Sequence, residues 1–181
     1  MRWQEFRLPL SDYTSMIEWI KPRQCTGVIV EIGVLIGNGT KQLAQAFPYK
    51  KIWAVDVFDI ETDPTANQEG VLMRSFYASE LEGRNQYEAY LENISGYLYQ
   101  NIQTFVGLSQ DFKTNEYIFL AIIDGGHSPD AVKKDFENLK ESKYIAFHDY
   151  NHDIPELTKA IDEITEGMER HALPGWLIVT H

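Results

Sequence analysis

Short apolar runs of strand length alternate with segments of helical period along this chain. Residues 28–33 form the first run, a glycine-rich turn and a predicted helix over residues 40–47 follow, and residues 51–56 form the second run. Because parallel strands are joined by crossovers that usually contain a helix, this order predicts βαβ units and a parallel sheet. Residues 170–180 predict two strands around the Pro174-Gly175 turn. We therefore predict an α/β fold with a seven-stranded, mostly parallel sheet and a C-terminal antiparallel hairpin, with further strands over residues 102–106, 119–124 and 144–149.

The length of 181 residues corresponds to one domain, so residues 1–181 are predicted to form a single unit. Residues 1–24 are predicted to be an N-terminal helical segment, because an apolar stripe of helical spacing ends just before Pro22. Residues 60–100 are predicted to be an insertion. Within it, residues 60–85 are polar and fit neither period, which predicts a long loop of the kind that is usually functional or mobile.

The charge balance and the cysteine count narrow the classes of partner and the setting. Twenty-seven acidic residues against 16 basic ones give a net charge of −11, which repels phosphate backbones and disfavours nucleic acid as the principal partner. No apolar run approaches the ~18 residues that a membrane span needs. The single cysteine, Cys25, permits neither an internal disulfide nor a cysteine-cluster zinc site, so a cytoplasmic setting is the simplest interpretation. The oligomeric state, including a homo-oligomer, is left open.

A glycine-rich turn joins the first predicted strand to the helix after it. Gly33, Gly37 and Gly39 let the backbone pass close to a ligand, and the helix N-terminus offers free N–H groups. Two acids accompany the turn: Glu31 precedes the first glycine, and Asp56 ends the second predicted strand. An acid at the second position is placed to accept hydrogen bonds from ribose hydroxyls, so the pattern predicts a nucleoside-bearing cofactor. The alternative is a tight strand-to-helix turn in which Asp56 caps a helix.

Two other phosphate-binding turns do not match this segment. The phosphate loop requires a lysine and then a serine or threonine after its last glycine, whereas here Thr40 precedes Lys41. The dinucleotide fingerprint requires glycine or alanine at the position that Gln42 occupies. A nicotinamide enzyme is therefore disfavoured.

Acidic and imidazole side chains follow two further strands of the predicted sheet. Asp124 and His127 come at the end of the fourth strand, and His148 and Asp149 at the end of the fifth. If these strands are adjacent and parallel, their ends lie ~5 Å apart, and the four side chains converge. Carboxylates suit Mg²⁺, and the added imidazoles also admit Mn²⁺ or Fe²⁺.

Less specific interpretations of the same residues stay open. Asp124 serves cofactor binding in one of them, and His127 caps the following helix in another. Neighbouring residues of a strand point to opposite faces. Of His148 and Asp149, we therefore expect Asp149 to face the site and His148 to be a core histidine.

The segment Glu31-x-Gly33-x-x-x-Gly37-x-Gly39-Thr40, followed by Ala54-Val55-Asp56, resembles the first two motifs of class I S-adenosylmethionine-dependent methyltransferases. The resemblance covers nearly the whole chain. It implies a Rossmann-like three-layer α/β/α sandwich, methyltransferase activity and S-adenosyl-L-methionine as cofactor. The cofactor contacts that it implies are Glu31 near the amino group, Gly33, Gly37, Gly39 and Thr40 around the methionine part, Asp56 on the ribose hydroxyls, Ser109 and Gln110 near the adenine, and Asp124.

The second half of the chain resembles a narrower group, the small-molecule O-methyltransferases, which include metal-dependent sugar O-methyltransferases of antibiotic pathways. These have an Asp-x-x-His motif after the fourth strand and a second acidic site after the fifth. The resemblance implies Asp124 and Asp149 as catalytic ligands of Mg²⁺ or Mn²⁺, and His127 as the general base for an acceptor hydroxyl. His148 departs from the two adjacent acids of those enzymes, so one oxygen ligand of the metal is either missing or replaced by an imidazole. Residues 60–85 then form a lid over a small-molecule acceptor.

Two other functions stay open from the sequence. One is a metal-free N-methyltransferase, for which binding geometry suffices and no base is needed. The other is a non-catalytic module that binds a nucleoside cofactor. The sequence does not specify the acceptor, because nothing in it separates a sugar hydroxyl from a catechol-like diol.

Overall fold

The computed structural model describes residues 12–96, 101–152 and 154–180 of the chain. Its seven strands are β1 (Val28–Ile32), β2 (Ile52–Asp56), β3 (Ile102–Val106), β4 (Ile118–Ile123), β5 (Tyr144–His148), β6 (Glu169–Leu173) and β7 (Trp176–Thr180). They form one sheet in the order β3-β2-β1-β4-β5-β7-β6. Strands β1 to β5 run parallel, and β7 runs antiparallel to both β5 and β6. The predicted fold class is confirmed.

Two apolar cores cover the two faces of the sheet. The helices are α1 (Thr14–Ile20), α2 (Asn38–Ala46), α3 (Met73–Leu81), α4 (Gln86–Ile94), α5 (Pro129–Leu139) and α6 (Pro155–Ile164). Ile29 of β1 packs in the core that includes α1, α2 and α4, while Val28 and Val30 pack in the core that includes α5 and α6. Side chains alternate along a strand, so both faces of β1 are covered, which is why central strands read as continuous apolar runs. No helix among the described residues is long and apolar enough to cross a membrane.

Strand order reverses between β1 and β4, and this switch point positions the site. In open α/β sheets, ligands bind beyond the carboxyl ends of the strands at such a point. The Asp124 N–H donates to the Ile32 carbonyl at 2.9 Å, and the Gly33 N–H donates to the Val55 carbonyl at 2.9 Å. Gly33 has a φ of 81°, and a Cβ there would lie 2.2 Å from the Asp124 carbonyl oxygen. Only glycine fits this crossing of the two strand ends.

The insertion contains more regular structure than the sequence predicts. Residues 60–85 are predicted to be a loop, yet the structure places α3 over Met73–Leu81 within them. Leu81 is the one buried residue of α3. The helix therefore lacks the apolar stripe that marks an amphipathic helix in sequence, which is why periodicity misses it. Residues 97–100 of the predicted insertion lie outside the described part of the chain.

The N-terminal helical segment, predicted over residues 1–24, is described from residue 12 onward. Helix α1 covers Thr14–Ile20, as the apolar stripe predicts, and a 3-10 turn follows over Lys21–Arg23. Met16 and Ile20 are fully buried. The helix is thereby anchored on the same face of the sheet as α2.

Candidate active site

The carboxylate of Asp56 accepts hydrogen bonds from the backbone of the glycine-rich turn. Its Oδ2 accepts hydrogen bonds from the backbone N–H groups of Val34 and Leu35 at 2.8 and 3.1 Å. Its Oδ1 accepts one from the Phe58 N–H at 2.6 Å and one from Gln86 Nε2 at 3.4 Å. Burial raises the pKa of Asp56, and these hydrogen bonds act against that rise. The carboxylate holds the turn in shape, and its contact with ribose hydroxyls stays a prediction.

Glu31 lies at the carboxyl end of β1 and is fully buried. The Thr40 hydroxyl, in the first turn of α2, donates to Glu31 Oε2 at 2.6 Å. Glu31 Oε1 is buried and has no hydrogen-bond partner among the described residues. Burial raises the pKa of Glu31 to about 8, although Thr40 and Tyr13 act in the opposite direction. This carboxyl group can accept a further hydrogen bond at Oε1. A cation bound there would favour its ionised form.

Side chains from elsewhere in the chain pack directly against Gly37 and Gly39. Gly37 has a φ of 79°, and a Cβ there would lie 2.8 Å from Tyr90. A Cβ on Gly39 would lie 2.5 Å from the Tyr13 ring and 2.6 Å from Glu31 Oε1. Both glycines are therefore required by packing around the turn, and their contact with a ligand stays a prediction.

Tyr13 directly precedes α1 and is a site residue that the sequence indicates only as part of an apolar helical stripe. Its hydroxyl donates to Asp124 Oδ2 at 2.8 Å, and its ring packs edge-on against Trp176 with centroids 4.9 Å apart. The side chain is fully buried, and burial together with Asp124 and Glu31 raises the pKa of the phenol. A helical stripe predicts burial of the ring, but it carries no signal for the partner of the hydroxyl.

Two imidazoles and two carboxylates converge beyond β4 and β5. His127 Nε2 lies 3.0 Å from Asp149 Oδ2. His148 Nδ1 lies 2.9 Å from Asp124 Oδ1 and 3.2 Å from Asp149 Oδ2, at ion-pair distance but without the alignment of a hydrogen bond. The predicted convergence of Asp124, His127, His148 and Asp149 is thus present in the structure.

His148 faces the site, contrary to the expectation that it turns away into the core. The strand ends at His148, and Asp149 takes the left-handed conformation with a φ of 56°. The alternation of side chains stops where the strand stops. The turn at Asp149 therefore brings its carboxylate and the His148 ring to the same side.

His127 is held between carboxylates from two parts of the chain. Its Nδ1 lies 3.0 Å from Asp63 Oδ2 and 3.1 Å from the Tyr77 hydroxyl, both contributed by the insertion. Burial lowers the pKa of His127, but Asp149 and Asp63 outweigh it and raise the pKa to about 10. At neutral pH the ring therefore carries a proton on each nitrogen. The next residue, Ser128, caps α5 through its hydroxyl at 3.2 Å from the Ala131 N–H, so the capping role is not that of His127.

Sequence reasoning did not identify Asp63 or Tyr77 as partners of His127. No pattern in the sequence singles out Asp63 or indicates a partner for the Tyr77 hydroxyl. The two residues lie in a segment without periodicity, and only the path of the insertion over the sheet edge brings them to His127. Asp63 also accepts the Thr65 N–H at 2.9 Å, an Asx turn that fixes its side chain locally.

Asp124, His127 and Asp149 offer ligand atoms that lie within 4.8 Å of one another. Mg²⁺ and Mn²⁺ prefer a shell of oxygen ligands. Here Asp124 contacts Tyr13 through one oxygen and His148 through the other, and Asp149 Oδ2 contacts both imidazoles. These contacts occupy oxygens that a metal ion would need, and binding of Mg²⁺ or Mn²⁺ by Asp124, Asp149 and His148 stays a prediction.

Ser109 lies in a 3-10 turn after β3, and its hydroxyl donates to Asp135 of α5. Asp135 is buried, and burial raises its pKa to about 6. Gln110 is exposed beside it. The Ser109 hydroxyl therefore ties the end of β3 to α5, and its place near an adenine stays a prediction.

The sheet order, the glycine-rich turn and the acids at the carboxyl ends of β1 and β2 define the class I methyltransferase architecture. A family model described as a methyltransferase domain matches residues 30–150, which is more than half of the chain. The chain belongs to this family, and the prediction of a methyltransferase is confirmed. A comparison with curated proteins finds no match.

Solved structures share the fold at low sequence identity. A provisionally assigned caffeoyl-CoA O-methyltransferase from Staphylococcus aureus aligns with a TM-score of 0.63 at 14% identity, over 96% of this chain and 86% of that chain. The O-methyltransferase TomG from Streptomyces achromogenes, in complex with SAM, aligns with a TM-score of 0.59 at 14% identity, over 96% and 82%. Cofactor-bound Rv0187 from MTB aligns with a TM-score of 0.63 at 13% identity, over 97% and 82%.

Proposed function

We propose that this protein transfers the methyl group of S-adenosylmethionine to a hydroxyl of a small-molecule acceptor. The observation that carries the proposal is the meeting of two features at one switch point. Glu31 presents a buried, unpartnered oxygen beside the N-terminus of α2. His127, with Asp63 and Asp149 on its two ring nitrogens, lies beyond the ends of β4 and β5. The first suits a cationic amino group, and the second suits proton transfer. O-methyltransferases among the structures of the same fold support this choice.

The cofactor is proposed to bind along the carboxyl edge of β1 and β2. Its ammonium group donates to Glu31 Oε1, the buried acceptor that has no partner in the chain. Its ribose lies beside Asp56, and its adenine lies toward Ser109 and Gln110. The complexes of TomG with SAM and of Rv0187 with its cofactor are consistent with a ligand of this kind in this fold.

The acceptor hydroxyl is proposed to reach His127 by replacing one of its carboxylate contacts. Loss of that contact lowers the pKa of His127, because Asp63 and Asp149 are the groups that raise it. The ring releases one proton to the displaced carboxylate, and the neutral ring then accepts the hydroxyl proton while the acceptor oxygen forms a bond to the methyl carbon. The carbon–sulfur bond breaks, its electron pair stays on sulfur, and S-adenosylhomocysteine leaves. Proximity and in-line orientation supply much of the rate, and no step passes through a metal.

The insertion is proposed to be the lid over the acceptor. Asp63 and Tyr77 contact His127 from above the sheet edge, and His127 is buried as a result. Exclusion of water strengthens the charge interactions within the site and protects the sulfonium from hydrolysis. The side chains of this lid that face His127 are proposed to select the acceptor.

A metal-free N-methyltransferase is the second candidate, and one observation favours it. His127 is doubly protonated in the arrangement described, and an amine that is already neutral needs no base. The two candidates differ in the atom that receives the methyl group. Mass spectrometry of the products from paired alcohol and amine acceptors distinguishes them.

Binding and turnover test the proposal in sequence. Calorimetric titration with S-adenosylhomocysteine should give binding in the micromolar range, and its absence would refute the cofactor assignment. Transfer of a tritiated methyl group to a panel of sugar, catechol and amine acceptors then defines the acceptor class. His127→Ala should abolish O-methyl transfer while the affinity for S-adenosylhomocysteine stays near that of the unaltered protein. Parallel loss of both would make His127 a structural residue.

A further inference from the structure

Gln86 begins α4 and lies against the glycine-rich turn. Its side chain is 6% exposed. Its Nε2 donates to the Leu35 carbonyl oxygen at 3.2 Å and to Asp56 Oδ1 at 3.4 Å. The amide thus touches both the turn and the acid at the end of β2.

The other end of the same amide has no partner. Gln86 Oε1 is buried and makes no hydrogen bond with any described residue. Rotating the amide by half a turn does not solve this, because it would set Oε1 against the two acceptors, Leu35 O and Asp56 Oδ1. The orientation of the amide is therefore fixed, and the carbonyl oxygen is the atom that needs a donor. A buried acceptor left unpaired is costly.

We propose that Gln86 is a ribose-binding residue of the cofactor site, in which its Oε1 accepts a hydrogen bond from one ribose hydroxyl while Asp56 accepts the neighbouring one. The inference rests on the proposed cofactor. It extends that cofactor's site to the insertion, because α4 lies within residues 60–100.

The chemistry of a vicinal diol matches this pair of acceptors. Each hydroxyl carries one donor, and two adjacent hydroxyls present two donors side by side. Asp56 Oδ1 has its longest contact, 3.4 Å, with Gln86. A ribose hydroxyl that shares this oxygen therefore weakens only that long hydrogen bond. Asp56 holds its other contacts with the backbone at 3.1 Å or shorter.

Gln86→Met and two kinds of ligand test the proposal. Methionine keeps the length of the side chain and removes both the donor and the acceptor. The ligands are S-adenosylhomocysteine and its analogues that lack the 2′- or the 3′-hydroxyl. The substitution should weaken S-adenosylhomocysteine roughly tenfold, which is the effect of one lost hydrogen bond. Against the analogue that lacks the paired hydroxyl, the variant and the unaltered protein should bind alike.

Asn93→Leu is the matched control. Asn93 also lies on α4 and donates to the same turn, through Nδ2 to the Ile36 carbonyl at 2.8 Å, but its oxygen accepts from Lys41 Nζ at 3.4 Å. Its replacement should change the affinity for all three ligands by the same factor. An equal loss for all three ligands with Gln86→Met, or no loss, would overturn the proposal.

Gln86→Glu keeps the test decisive if the methionine variant does not fold. The glutamate retains an acceptor oxygen, and burial beside the Asp56 carboxylate keeps it protonated with one donor, so its preference for the hydroxyl-bearing ligand over the deoxy analogue should persist. Loss of that preference would also overturn the proposal. Absence of S-adenosylhomocysteine binding by the unaltered protein is a different outcome, because it refutes the cofactor itself.

Discussion

Asp63 Oδ2 lies 3.0 Å from His127 Nδ1, although 64 positions separate the two residues in the chain. The contact joins the insertion to the turn after β4. Asp149 faces the other nitrogen of the same ring at 3.0 Å. A histidine with a carboxylate on each nitrogen is oriented and kept charged. The insertion is thereby part of the site's electrostatics as well as its cover.

Asp63→Asn should lower the pKa of His127, because one of the two carboxylates that raise it is removed. A fall of about one to two pH units is the size expected for the loss of a close opposite charge. Nuclear magnetic resonance titration of the ring measures it directly. Asp59→Asn is the control, since Asp59 caps a 3-10 turn in the same insertion and should leave the His127 titration in place. An unchanged pKa in Asp63→Asn would contradict the arrangement.

Binding of S-adenosylhomocysteine should release a proton at pH 7. The pKa of Glu31 is about 8 in the free protein, so the carboxyl is mostly protonated at that pH and ionises when it pairs with an ammonium group. The affinity should therefore fall about tenfold for each pH unit below 8. Calorimetry in two buffers of different ionisation enthalpy gives the proton count. Glu31→Gln should abolish the release, and a release that persists in this variant would assign it elsewhere.

Asp135→Asn should stabilise the protein at pH 7. Burial raises the pKa of Asp135 to about 6, well above its unfolded value of about 3.9. Between these values the folded state binds more protons than the unfolded state, so the free energy of unfolding falls as pH rises from 4 to 6. The shift corresponds to about 3 kcal/mol at most. Urea denaturation at pH 4 and 7 measures the change.

The control for that experiment is Asp130→Asn, an exposed position in the first turn of the same helix. It should leave the free energy of unfolding at pH 7 nearly unchanged. If Asp135→Asn is destabilising at pH 7, the folded state favours the charged carboxylate, and the burial argument fails.

Gly33→Ala should destabilise the fold by more than about 3 kcal/mol, because a positive φ and a backbone clash act together. Gly83→Ala isolates the first effect. Gly83 has a φ of 80° but no atom within 4 Å of an added Cβ, so its cost should be about 1–2 kcal/mol. Chemical denaturation of both variants measures the difference. Equal costs would mean that the strand ends at β1 and β4 can separate to admit a methyl group.

Removal of divalent metal should leave turnover unchanged. Asp124 and Asp149 face Tyr13, His127 and His148, and these neighbours supply the protons and positive charge that an ion would supply. Assay after dialysis against EDTA tests this. Activity that disappears and returns on addition of Mg²⁺, Mn²⁺ or Fe²⁺ would show that the carboxylates exchange their partners for an ion.

The sequence by itself determined the sheet and where its site lies. Central strands such as β4 are buried along nearly their whole length, so their apolar runs are unbroken and easily found. The glycines after β1 mark the switch point because the crossing of Gly33 and Asp124 admits no side chain. Residues at the ends of neighbouring strands, such as Asp124 and Asp149, meet because parallel strands end at one edge.

Only the tertiary structure decided what each of these residues contacts. Asp63, Tyr77, Tyr13 and Gln86 reach the site from segments whose local pattern predicts burial or a loop, and no periodicity specifies a partner 50 or more positions away. The protonation of His127 follows from two carboxylates that converge through different elements. A local pattern reports the face on which a side chain lies, whereas the charge and hydrogen-bond partners of that side chain depend on how distant segments pack.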